Sequence, residues 1–256
     1  MRIATWNIND VRKRVDLVLE FLAEVQPDAL CLQELKCEDG AFPADAFEAA
    51  GYGAVWRGQR TWNGVAILGR GRAPVLVRDT LPGDPDDREA RYIEAAVEGV
   101  LIACLYAPNG NPQPGPKFER KLAWTDRFVA HAAALWEAGV PAVLAGDYNI
   151  APTAADVYEG HSYDDNALIQ PGPRAQWERL VAQGWVDAVR AGFPDGEAFT
   201  FWDYRRRRWE NDKGLRLDHL LLSGEVAPRL REVCVDRPWR GRENASDHAP
   251  VWVDLR

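Results

Sequence analysis

Along the chain, short unbroken apolar runs alternate with stretches in which apolar residues recur every three or four positions. A short apolar run between turn residues is what a strand covered on both faces looks like, and the longer spacing is the stripe of a helix packed on a sheet. Residues 2–7 (RIATWN) predict a first strand. Apolar positions 11, 15, 18, 19, 22 and 25 predict a helix that stops before Pro27, and 28–34 (DALCLQE) predicts a second buried strand. Further strands are predicted at 52–56 and 64–68, at 92–97 and 100–106 as a hairpin about Gly99, at 142–146, at 215–222 and at 249–255. Helices are predicted at 118–136 and around Trp177, Leu180 and Val181. Many buried strands with helices between them fit two packed sheets flanked by helices, an α/β architecture.

These runs end in polar residues. The segment 142–152 (AVLAGDYNIAP) stops being apolar at Gly146 and delivers Asp147 and Asn149, which alternation sends to one side while Tyr148 goes to the other. Taken alone it reads as a strand running into an Asx turn. The pattern recurs with Asn7 and Asn9, with Glu34, with Tyr106 and Asn109, with Asp218, and with Asp247 and His248. One such residue is ordinarily a turn or cap residue. Six of them imply that the strand ends meet.

At 256 residues with no linker, repeat or low-complexity tract, the chain is read as one domain over 1–256. It has no apolar run near the ~20 residues needed to span a bilayer and no leader-like N-terminus, so a soluble, unexported protein is expected. Cys31, Cys37, Cys104 and Cys234 form neither a CxxC pair nor a disulfide scaffold and read as core filler. The four histidines are far apart, so a metal site would rest mainly on oxygen ligands. The net charge of −8 argues against a protein coated in positive charge, but the arginines cluster, most densely at Arg205, Arg206, Arg207 and Arg208.

If the six ends converge, Glu34, Asp147, Asp218 and Asp247 share one site. Close carboxylates repel unless a cation lies among them, and hard oxygen ligands favour Mg²⁺ or Mn²⁺, which keeps room in its shell for a substrate phosphate. His248 beside Asp218 suits a dyad whose imidazolium donates to a phosphate oxygen. His219 points the other way along its strand and reads as structural, and His131 as a surface residue of a helix.

The blocks WNIND (6–10), LQELK (32–36), YAPNG (106–110), GDYNIAP (146–152), GLRLDHLL (214–221) and SDHAPV (246–251) resemble, in order and over nearly the whole chain, those of the exonuclease III/AP endonuclease family. The resemblance implies a four-layer α/β/β/α sandwich of the DNase I-like type. It also implies Mg²⁺-dependent cleavage of DNA 5′ to abasic sites, with 3′→5′ exonuclease and 3′-phosphatase or 3′-repair activity. Mn²⁺ is expected to substitute. Carried over by motif, Glu34 is the principal metal ligand, with Asn7, Asn9 and Asp247 around the metal. Asp147 orients or deprotonates the attacking water with help from Asn149, Tyr106 and Asn109 contact the phosphate, and His248 paired with Asp218 stabilises the developing charge. Phe201, Trp202, Leu215 and Leu217 match positions lining a pocket for a flipped-out abasic sugar, though buried aromatics are as readily core. Arg205 to Arg208 reads as a partly solvated hairpin that clamps the DNA backbone. The implied partner is double-stranded DNA with abasic sites or 3′ ends, met by a cytoplasmic, nucleoid-associated monomer of bacterial type.

Two positions depart from the family's pattern. Asp10 stands where Gly is common, near the expected metal, and Leu35 where Thr is common. The segment 156–173 matches no block, and a bulky His161 or Tyr163 there bears on the balance of exonuclease against abasic-site activity. Other readings are a phosphodiesterase of the same fold without abasic specificity, acting mainly as a 3′→5′ exonuclease or on RNA, lipid or inositol phosphate, and a DNA-binding module without activity. FTFW with GLRLD argues against the lipid and inositol branches. The intact set of carboxylates argues against the module.

Overall fold

The computed structural model describes residues 1–161 and 165–256. Strand β1 (Arg2–Asn7) is followed by a 3₁₀ turn at Val11–Lys13, helix α1 (Val15–Val25) and strand β2 (Ala29–Gln33). Helix α2 (Ala44–Ala49) leads into β3 (Tyr52–Arg57), β4 (Val65–Arg70), β5 (Val75–Arg78), β6 (Tyr92–Val97) and β7 (Val100–Tyr106). The long helix α3 (Pro116–Glu137) precedes β8 (Ala142–Asp147); α4 (Pro171–Val181), β9 (Val186–Asp187), α5 (Ala188–Gly192), β10 (Asp218–Leu222), β11 (Leu230–Val235) and β12 (Val251–Leu255) complete the chain.

Among the described residues the strands form two six-stranded mixed sheets, β11-β12-β1-β2-β4-β3 and β5-β6-β7-β8-β10-β9. Ile3, Ile67, Ile102, Val143, Leu220 and Val253 belong to the core between the sheets. Trp6, Phe21 and Trp239 pack on the outer side of the first sheet, and Phe128, Tyr148 and Trp177 on that of the second, giving the expected four layers. Each central strand is therefore buried on both faces, which is why its sequence reads as an unbroken apolar run. Glu98 and Gly99 both have positive φ, the two-residue turn that matches the twist of β6 and β7.

Several boundaries differ from expectation. The strands predicted at 28–34, 215–222 and 249–255 shorten to β2, β10 and β12: Glu34 and Leu217 leave the first two to line the groove, and Pro250 has no N–H to give to the third. β5, β9 and β11 were not predicted: β5 is fully exposed, β9 has two residues, and β11 is an edge strand with an irregular register. Edge strands need no apolar run, so periodicity misses them. His131 is not a surface residue, since its Nε2 meets the buried carboxylate of Glu94. All four cysteines are free, and among the described residues no helix is long and apolar enough to cross a membrane.

The register is what positions the site. Tyr106 of β7 and Asp218 of β10 both lie opposite Asp147 of β8, so three polar groups stand side by side at one edge of the second sheet. In the first sheet Asn7 pairs with Gln33, which leaves Glu34 as the next residue out. Gly146 allows this close approach: a Cβ there would lie 2.0 Å from the carbonyl oxygen of Leu105.

Candidate active site

Five of the six polar strand ends line one groove of 770 Å³, through Asn9, Glu34, Tyr106, Asn109, Asp147, Asn149, Asp247 and His248, while Asp218 is fully buried behind His248. Asn9, Asp10, Glu34, Lys36 and Asn149 all have positive φ. Left-handed backbone is uncommon outside glycine, and at Asn9, Glu34, Lys36 and Asn149 it turns the chain sharply where the side chain lines the groove.

A continuous chain of hydrogen bonds joins the two sheets. Asn7 donates from Nδ2 to Glu34 Oε1 and to Asp147 Oδ2, both at 2.9 Å, while its carbonyl oxygen accepts from the Asn9 N–H. Asn7 thus links two carboxylates and offers the groove no free oxygen. The Lys36 ammonium bridges Glu34 Oε2 at 2.9 Å and Asn9 Oδ1 at 2.5 Å, and Asn9 Nδ2 reaches Asp247 Oδ1 at 2.9 Å. Burial opposes ionisation of Glu34, but Lys36, the Asn7 amide and His248 outweigh it and hold its pKa below the ordinary value.

Opposite, Asp147 accepts from the Asn149 backbone N–H at 2.8 Å, and Asn109 Nδ2 donates to Asn149 Oδ1 at 3.1 Å. His248 Nδ1 lies 2.8 Å from Asp218 Oδ2, so Nδ1 carries a proton, and its Nε2 faces Asp147 Oδ2 at 3.9 Å. Burial works against the imidazolium, yet Asp218, Asp147 and Asp247 raise its pKa to about 10. Burial, with Asp218 beside it, pushes Asp147 up to about 7 against the pull of His248. Burial also lifts the Tyr106 phenol well above its usual value, helped by Glu34 and Asp147, so it remains a proton donor.

Two donor sets could hold a metal ion. Asp147, Asp218 and His248 bring one ligand atom each within 4.8 Å of one another, but Asp218 Oδ2 is already bound by His248 and by Thr200 Oγ1 at 2.6 Å. Glu34, Asn9 and Asp247 present hard oxygens, and two of them already share the ammonium of Lys36. The Lys36 ammonium lies between the Glu34 and Asn9 oxygens, and the three side chains are hard oxygen donors of the kind a divalent cation takes.

The remaining expected residues divide. Phe201 and Leu217 line the groove with Leu168, and the Phe201 ring lies 4.9 Å from that of His248. Trp202 does not line it: its indole is fully buried, donates to Asp212 Oδ1 at 3.0 Å and stacks edge-on against Trp209. Leu215 is also buried, behind the wall, where its backbone pairs with Phe201. Arg205, Arg206 and Arg207 form a short 3₁₀ turn, not a hairpin. Of the four arginines Arg205 alone faces the groove, paired with Asp203, whereas Arg206 and Arg208 line a neighbouring concavity of 450 Å³ with Tyr158, His161 and Lys213. His161 therefore sits outside the groove, and Tyr163 falls outside the described residues. The Asp10 carboxylate is offset by Arg12 at 3.6 Å and Lys13 at 3.7 Å, and Leu35 is buried in the core.

Thr200 was not expected from sequence. Its hydroxyl donates to Asp218 Oδ2 and accepts from the backbone N–H of Leu217 and Asp218. A threonine between two phenylalanines reads only as an alternating strand, so nothing local marks it. Arg91, whose guanidinium lies 4.8 Å from the centre of the Tyr106 ring, and the exposed Trp62 also line the groove.

The model of the endonuclease/exonuclease/phosphatase family matches residues 4–248. Exodeoxyribonuclease III of Haemophilus influenzae is 31% identical, with both chains covered over 100% of their length. The chain is also similar to the solved structure of a 3′ phosphatase from Neisseria bound to a product DNA hairpin, at 37% identity and a TM-score of 0.95, covering 100% of this chain and 99% of that one. An AP endonuclease from Archaeoglobus fulgidus superposes with a TM-score of 0.93 at 32% identity, over 100% of this chain and 99% of its own. The chain belongs to the endonuclease/exonuclease/phosphatase family and is a hydrolytic nuclease.

Proposed function

We propose that this member of the family is a Mg²⁺-dependent DNA-repair phosphodiesterase that acts within one domain over 1–256, cutting duplex DNA 5′ to abasic sites and removing nucleotides or phosphate from 3′ ends. The observation that carries the reading is the junction, in one groove, of the Asp147, His248 and Asp218 cluster with the apolar wall of Phe201, Leu168 and Leu217. The cluster suits attack on a phosphate ester. The wall suits a sugar without its base.

Bound among Glu34, Asn9 and Asp247, a divalent cation, for which Mn²⁺ would substitute, supplies charge neutralisation to the phosphate. The chain's own groups do the rest. Asp147, held by Asn149 and Asn7, orients a water and is poised by its raised pKa to take a proton near neutral pH. The His248 imidazolium, kept charged by Asp218, donates from Nε2 to a phosphate oxygen as charge builds there. Tyr106 and the Asn109 amide are the further donors at that position. Arg205 and the exposed cations beyond it take up backbone phosphates, fixing register without reading sequence. The likeness to the Haemophilus influenzae enzyme supports a bacterial-type, cytoplasmic setting in which it works at the nucleoid.

A second reading, 3′-end processing without abasic incision, is favoured by the likeness to the Neisseria 3′ phosphatase. Three labelled duplexes, one abasic, one recessed at its 3′ end and one carrying a 3′ phosphate, separate the two when incubated with and without EDTA. Metal-dependent cleavage of all three is expected. An untouched abasic duplex beside processed 3′ ends would install the second reading.

A further inference from the structure

Lys121 of α3 is fully buried, and no ion pair to it is found among the described residues. Its Nζ donates to two backbone carbonyls, that of Asn109 at 3.1 Å and that of Asn149. On the groove side the same two residues are joined by a hydrogen bond from Asn109 Nδ2 to Asn149 Oδ1 at 3.1 Å. The loops leaving β7 and β8 are therefore tied together twice, by their side chains above and by one ammonium below. The contact is close: Gly110 has φ +89°, and a Cβ there would lie 2.6 Å from Cδ of Lys121. The Asn149 N–H in turn bonds Asp147 at 2.8 Å, so any drift of Asn149 carries to the carboxylate.

A buried ammonium without a carboxylate is costly. Burial lowers its pKa to about 7, with Asp147 the charge that opposes the shift. The two donations survive in either protonation state, because a neutral amine still has two N–H groups. Methionine would fill the same space at less desolvation cost but would leave both carbonyls without a donor.

We propose that Lys121 is a positioning residue for the hydrolysis, fixing the Asn109 and Asn149 side chains at the groove through their backbone carbonyls without touching substrate. The inference rests on the roles given above to Asp147 and Asn149.

The test is steady-state cleavage of a duplex with a recessed 3′ end, in Mg²⁺, by the parent, Lys121→Met, Asn149→Ala and the double variant. Lys121→Met is expected to lower kcat roughly 10- to 100-fold with KM within about threefold. Added to Asn149→Ala it is expected to lower the residual rate by clearly less than it lowers the parent's, because one of the two side chains it positions is already gone. Lys121→Gln, which keeps an N–H donor without the charge, is expected to fall between parent and Lys121→Met, and it carries the same cycle if the methionine variant does not fold. Turnover within about twofold of the parent in these Lys121 variants, beside a crippled Asn149→Ala, would overturn the inference alone, as would losses that multiply in full. A fully active Asn149→Ala would instead overturn the site assignment and this inference with it.

Discussion

Asp218 and His219 are consecutive residues of β10, yet they belong to two buried charged clusters of opposite character. On the groove side Glu34, Asp147, Asp218 and Asp247 meet one lysine and one histidine, and His248 is held charged with its pKa near 10. On the other side Arg216 bonds Asp156 at 2.6 Å and Asp187 at 2.7 Å, Arg190 adds a second guanidinium on Asp156, and the charges balance. There the Arg216 guanidinium can only donate to His219 Nδ1, so His219 is neutral, gives its Nε2 proton to the Ile150 carbonyl, and has its pKa lowered to about 4 by burial and by Arg216. One pleat of one strand thus separates a cluster whose charges pair within the protein from one whose Glu34, Asp147 and Asp247 carboxylates line a groove. The first holds the structure together. The second faces a groove that a ligand can enter and is where chemistry belongs.

The comparison breaks most visibly at Asp147. Asp147→Asn is expected to lower metal-dependent cleavage by about 10³-fold or more while leaving DNA affinity within a fewfold, measured by single-turnover cleavage beside a binding titration. By contrast Arg216→Met is expected to act on folding.

Much of this was legible in the sequence, because each strand carries its own polar end with it: GDYNIAP, LQELK and SDHAPV name their chemistry locally. The double-sheet core was legible for the same reason, since strands buried on both faces leave continuous apolar runs. What was not legible depends on partners distant in sequence. Thr200 gains meaning only from Asp218, 18 residues away, and His131 only from Glu94, 37 residues away. Trp202 and Phe201 are neighbours in an aromatic run, and only the fold decides that one faces the groove and the other is sealed beneath the basic turn.

The basic turn gives a smaller effect. Replacing Arg206, Arg207 and Arg208 by Ala is expected to weaken DNA binding roughly 10-fold near physiological salt and to flatten the slope of log affinity against log salt by about 2. An unchanged slope would make those arginines a solvated surface with no part in binding.

A further expected effect concerns pH. His219 has a folded pKa near 4, below the ~6.5 of an unfolded chain, so the unfolded state binds the proton more readily. Stability is then expected to fall as pH drops from about 6.5 towards 4, by on the order of 3 kcal/mol, with no contribution above that window. Urea unfolding of the parent against His219→Gln checks the sign: the variant should lose less stability over the same interval.

The most direct test sets the two histidines against each other in one cleavage assay on the recessed duplex, with folding followed by thermal melting. His248→Asn is expected to lose about 10³-fold in rate per folded molecule, whereas His219→Asn is expected to melt lower but keep its rate per folded molecule within about tenfold. Equal losses in the two, or full activity in His248→Asn, would contradict the account.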